Sequence, residues 1–147
     1  MNNYRTVFFA IGVLLLILGA FMLIPFFVQI FYDEKGNTFI SSAFITSFIG
    51  ILLILTNSED EKKLNLQQAF LLTTLSWLSI AIFGSLPFAL SDLNLSFVDS
   101  FFESMSGITT TGSTIITNLD STAKSILIWR ALLQWLGGIG IIVMAIT

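Results

Sequence analysis

Four long apolar runs separated by short polar stretches set the framework of this chain. The first covers residues 6–31, would rise about 39 Å as a helix, and so can cross a hydrocarbon core of roughly 30 Å with some tilt. Pro25 lies inside it and predicts a kink. The polar turn DEKGN at 33–37 reverses the chain, and a second run at 38–56 returns across the membrane. NSEDEKKLN at 57–65 reads as a charged loop. A third run, 69–90, carries Thr73, Thr74, Ser76, Ser79 and Ser85, small hydroxylated residues of the kind through which helices pack in lipid. The last run, 125–147, contains Arg130, Gln134, Gly137, Gly138 and Gly140.

Between the third and fourth runs lies SFVDSFFESMSGITTTGS, at 96–113, with a different pattern. An amphipathic helix over 97–106 rises only about 15 Å and cannot cross a bilayer. Ser96 is placed to cap it, and Asp99 falls three residues later, where a carboxylate can bond back and favours the positive helix end. Gly107 is the expected left-handed exit. A re-entrant helix that stops at mid-membrane aims its partially negative carbonyl end at whatever lies next, and in a pore that is a cation.

The next residues are TTTGST, at 109–114. Irregular backbone at membrane depth is tolerated only where it is buried in protein or lines a water-filled cavity. Taken alone, TTTGST is an ordinary polar turn. A re-entrant helix before it and a spanning helix after it change the reading to a filter, in which backbone carbonyls replace the hydration shell of an ion and a glycine supplies the special dihedrals. Thr110, Thr111, Gly112, Ser113 and Thr114 sit like the T-V-G-Y-G of simple potassium channels, with Thr114 in place of the second glycine. The candidate ligands are the carbonyls of Thr110, Thr111, Gly112 and Ser113, with potassium expected at Thr110, Thr111 and Gly112.

Composition agrees with a membrane setting: 55% of residues are hydrophobic, 10% are charged, and phenylalanine alone accounts for 15 of 147. The formal charge of −3 is dispersed, which argues against nucleic acid as a partner. There is no cysteine and no histidine, so no disulfide framework and no common zinc or triad chemistry is available. No nucleophile and base pair can be named, and the chain does not read as an enzyme. A secretory signal is the competing reading of the first run, since Arg5 precedes it. Such apolar regions, however, span about 7 to 15 residues and end in a small-residue cleavage site, so a retained helix is expected.

The string DSFFESMSGITTTGST, followed by KSILIWRALLQWLGGIGIIV, resembles the first pore repeat of the Trk/Ktr/HKT superfamily of potassium transporters, most closely its bacterial Trk branch. The motif likeness is dense over 99–143. Upstream it rests on topology, because two additional hydrophobic segments precede the first repeat in the Trk branch. The resemblance implies an all-α integral membrane protein with four non-identical helix, pore-loop, helix repeats, each with one filter glycine. On that scheme residues 1–66 hold two leading transmembrane helices and a cytoplasmic loop. Residues 67–147 hold the first repeat: outer helix 68–90, pore helix 97–106, filter 109–114 and a truncated inner helix 123–147. Potassium is then the transported species, and the chain carries no cofactor of its own. Glycine at the position of Gly112 goes with potassium permeation in relatives, and serine in some plant members with sodium preference. The resemblance further implies a homodimeric subunit of the bacterial inner membrane, regulated by a cytosolic nucleotide-binding ring to which ATP or NAD would belong.

Other features leave alternatives open. Arg130 either snorkels to the interface or pairs with Asp99 or Glu103 to brace the pore helix. Asp99 and Glu103 are four apart and share a helix face, which is either a solvated outer vestibule wall or a direct ion contact; neither is taken as a filter ligand, and with Arg130 they are assigned to filter support. Gly137, Gly138 and Gly140 serve either close helix packing or a gating bend. Arg5, Lys62 and Lys63 on one side, against Lys35 and Lys124 on the other, place the N-terminus in the cytoplasm. The last run reaches Thr147 without an interfacial anchor, and a carbonyl ring needs about four loops. The expectation is therefore the N-terminal part of a longer transporter, needing the remaining three repeats to conduct. Two alternatives are a non-conducting assembly or regulatory subunit and a small cation channel that tetramerises by itself.

Overall fold

The computed structural model describes residues 4–57 and 65–146, and every long regular element among them is a helix. Helix α1 (Arg5–Phe21) continues into α2 (Leu23–Phe31) through a break at Met22. Met22 lies three residues before Pro25, where the missing N–H and the proline ring disturb the preceding turn. Helix α3 (Thr38–Asn57) returns antiparallel. Most of the charged loop, 58–64, and the last residue of the expected inner helix lie outside the described residues.

Helix α4 (Leu66–Gly84) begins earlier than the apolar run suggests. Asn65 caps it by accepting from the Gln67 N–H, and the Gln68 side chain accepts from the Asn65 N–H at 2.9 Å, so a capping box adds a turn of polar helix. The expected single outer helix 68–90 is instead broken at Ser85 and resumes as the short α5 (Leu86–Ala89), with Pro87 in its first turn. Among the described residues, three rods are long and apolar enough to cross a membrane: Arg5–Phe31, Thr38–Asn57 and Leu66–Ala89. Helix α6 (Phe97–Ile108) is short, and after a 3-10 turn (Leu119–Ser121) the chain ends in α7 (Lys124–Ile146), 23 residues long.

Packing in lipid depends on close approach, because burying apolar surface away from hydrocarbon gains little. Helices α1 and α3 meet backbone to backbone: a methyl on Gly12 would lie 2.8 Å from the Gly50 carbonyl, and one on Gly50 would lie 2.9 Å from the Gly12 carbonyl. Helix α6 is wedged between α4 and α7, and α2 lies on α7. Trp129, fully buried on α7, meets Phe39 edge-on with ring centroids 6.3 Å apart. Its indole N–H donates to the Gly84 carbonyl at 2.9 Å, satisfying an end-of-helix acceptor where α4 breaks.

The polar turn at 33–37 does more than reverse the chain. The Glu34 carboxylate accepts from the Lys124 backbone N–H at 2.6 Å and from the Ser125 hydroxyl, placing a negative charge on the N-terminus of α7. The leading hairpin is thereby pinned to the last helix.

Candidate functional site

Helix α6 starts at the expected Ser96 cap, whose hydroxyl accepts from the Asp99 N–H at 3.1 Å, but the expected return bond to the Asp99 carboxylate is not formed among the described residues. Its end differs. The helix runs through Gly107 to Ile108, beyond the expected stop at 106, and Gly107 is not left-handed. Gly107 is needed for space instead: a Cβ there would sit 3.0 Å from the Leu133 Cβ on α7. The left-handed residues are Thr110, at φ +59°, and Gly112, at φ +77°. They turn the chain away from the helix end, where the Thr109 N–H still reaches the Met105 carbonyl at 3.0 Å and the Thr110 N–H reaches that of Gly107 at 2.9 Å.

The chain then doubles back along α6, held at three levels. The Gly112 N–H donates to the Ser106 carbonyl at 3.2 Å. The Ser106 hydroxyl donates to the Ser113 carbonyl at 2.6 Å. One turn further up, Glu103 Oε1 accepts from both the Thr114 hydroxyl and the Ile115 N–H, each at 2.6 Å. The carbonyls of Thr110, Thr111 and Gly112 accept no hydrogen bond among the described residues, whereas Ser113 directs its carbonyl at α6. Residues 109–115 are all exposed on this chain.

Glu103 is the centre of this arrangement. It is 1% exposed, and its second oxygen, Oε2, lies 2.9 Å from Nε of Arg130 on α7. A buried carboxylate is tolerable when it is paired and its remaining lone pairs are filled, and Glu103 has a cation and two donors. The Arg130 side chain keeps 17% of its surface exposed, so it is less deeply buried than its partner. Of the two possible partners, Arg130 chooses Glu103; Asp99 is half-buried near the start of α6 and supports that helix end. Glu103 does not stand on a solvated wall.

One face of α7 lines this loop throughout. Arg130 meets Glu103, Leu133 meets Gly107, Gln134 lies against Gly112, and Gly137 lies against Ile108. The spacing 130, 133, 134, 137 is that of a single helix face. A Cβ on Gly137 would fall 1.8 Å from the Ile108 carbonyl, so that glycine is there for close packing. A Cβ on Gly138 or Gly140 would meet nothing within 4 Å among the described residues. The sequence does not single out Ser106 or Glu34, nor does it place Thr114 on the Glu103 carboxylate or Gln134 beside Gly112. Helical periodicity defines the α7 face but not the groups that stand opposite it.

Residues 34–147 match the family model TrkH, described as a cation transport protein. The Trk system potassium uptake protein TrkH of Escherichia coli K12 is 38% identical over 147 residues, an alignment covering 99% of this chain and 30% of that protein. TrkI of Halomonas elongata, also described as a Trk system potassium uptake protein, is 40% identical over 152 aligned positions, covering 100% of this chain and 30% of the relative. The crystal structure of the potassium transporter TrkH from Vibrio parahaemolyticus superposes with a TM-score of 0.93 at 39% identity, covering 99% of this chain and 31% of that one. The chain thus spans about 30% of the length of the curated relatives it matches. With the family match extending over most of its length, and the fold shared with a solved member, the chain belongs to the TrkH family of cation transport proteins.

Proposed function

We propose that this chain supplies one quarter of the pore of a potassium uptake protein, with 109–114 as its share of the selectivity filter. In this reading α1 to α3 are the leading pair of membrane rods, within 1–66. The unit 67–147 is the first of four repeats, with α4 and α5 as outer helix, α6 as pore helix and α7 as inner helix. The observation that carries the proposal is the Glu103 clamp. A buried carboxylate holds Thr114 and Ile115 on one oxygen and Arg130 on the other, fixing the loop between α6 and α7 while leaving the Thr110, Thr111 and Gly112 carbonyls free. Ring-forming carbonyls must be unengaged by protein donors and rigidly held, and the partially negative end of α6 favours a cation beside them. Ser113, its carbonyl already accepting from Ser106, is the weakest of the four ligands. Asp99, Glu103 and Arg130 act as support and touch no ion.

The relatives' greater length supports completion of the ring by further repeats elsewhere in a longer polypeptide. The charge bias of Arg5, Lys62 and Lys63 against Lys35 and Lys124 supports a cytoplasmic N-terminus in the bacterial inner membrane, with the loop facing outward. A homodimer and a cytosolic nucleotide-binding ring complete the reading on the family resemblance alone. The test is Gly112→Ser in the complete protein. The change adds a Cβ at φ +77° and 3.0 Å from the Gln134 amide nitrogen, so rubidium preference over sodium should fall; an unchanged ratio would remove the filter assignment.

A further inference from the structure

Three of the four residues on the inner face of α7 have an evident role. Arg130 pairs with Glu103, Leu133 fills the space beside Gly107 and Gly84, and Gly137 admits the end of α6. Gln134 is the exception. It is partly buried and polar, makes no hydrogen bond among the described residues, and stands with its amide nitrogen 3.0 Å from where a Cβ on Gly112 would be. The amide stands on the side of Gly112 from which a Cβ would project, and the Gly112 carbonyl accepts no hydrogen bond among the described residues. With no hydrogen bond of its own among the described residues, Gln134 acts on Gly112 by volume and position.

We infer that Gln134 is a specificity-determining positioning residue, a rear stop that fixes Gly112 and so sets the distance of its carbonyl from the pore axis. The inference rests on the filter reading above. Gly112 is left-handed and lacks a side chain of its own to anchor it, and its only backbone tie among the described residues is to the Ser106 carbonyl at 3.2 Å. Behind it stands a long side chain projecting from the same α7 face that the Glu103–Arg130 pair and the Gly137 contact hold in register. Removing that volume lets Gly112 retreat, and a ring that can widen or deform no longer matches one ion size.

The experiment measures rubidium and sodium uptake by the complete protein in liposomes for the wild type, Gln134→Ala, Gln134→Leu and Gly112→Ser. Leu keeps much of the volume without the amide, so a stop acting by volume predicts a near-native rubidium-to-sodium ratio for Gln134→Leu. It predicts a ratio reduced by about fivefold or more for Gln134→Ala, a difference of about 1 kcal/mol in relative barriers. If Gln134→Ala is not recovered from the membrane, Gln134→Asn, one methylene shorter, is read against the same criterion. A native ratio in the shortened variant alongside an altered ratio in Gly112→Ser overturns this inference alone. A native ratio in Gly112→Ser overturns the filter reading, and this inference with it.

Discussion

Glu103 and Arg130, 27 positions apart in sequence, form a 2.9 Å ion pair that joins the short helix α6 to α7 from inside the protein. The same carboxylate holds Thr114 and Ile115, so one side chain binds two helices and the loop between them. Buried pairs of this kind rarely add net stability over an apolar substitute, but removing one partner strands a charge.

Glu103→Gln or Arg130→Gln alone is therefore expected to destabilise the complete protein by about 3 kcal/mol or more, and the double variant by clearly less than the sum. A thermal-melt double-mutant cycle on detergent-purified protein measures this. Additive single effects would mean that the pair is not coupled.

Gly137 and its neighbours separate packing from bending. A methyl at Gly137 collides with the Ile108 carbonyl, so Gly137→Ala should lower the melting temperature sharply and reduce uptake. Gly138→Ala and Gly140→Ala meet open space among the described residues and should stay within about 0.5 kcal/mol of wild type. Were Gly138→Ala or Gly140→Ala to abolish uptake at normal stability, a hinge at that glycine would be the better explanation.

Glu34 is expected to protect the first turn of α7. Glu34→Ala removes the acceptor of the Lys124 N–H and should cost about 1 to 2 kcal/mol, seen as faster hydrogen exchange at Lys124 and Ser125. Unchanged exchange at those amides would show that the cap contributes nothing in the assembled protein.

Much of this architecture is legible in the sequence because membrane helices announce themselves by length and apolarity: α1 with α2, α3, and the long stretch of α4 follow the runs directly. Local chemistry is legible too, in the Ser96 cap and in the break caused by Pro25. The break at Ser85 obeys the same rule through Pro87, but the unbroken apolar run 69–90 reads as a single helix. Gly107 is not, because a glycine serves either a left-handed turn or a close approach, and only the position of Leu133 distinguishes them. Spacing places Glu103 on a helix face without saying whether water or Arg130 stands opposite. Glu34 and Lys124 are 90 positions apart, and no local pattern links them.

If 109–114 is a filter strand, the free carbonyls of Thr110, Thr111 and Gly112 contact the permeating ion. The most direct measurement is anomalous scattering from crystals of the complete protein grown in rubidium, compared with crystals grown in sodium. A rubidium peak on the axis beside those three carbonyls, absent in sodium, is predicted. Rubidium bound elsewhere in the pore with no peak at this loop would contradict it.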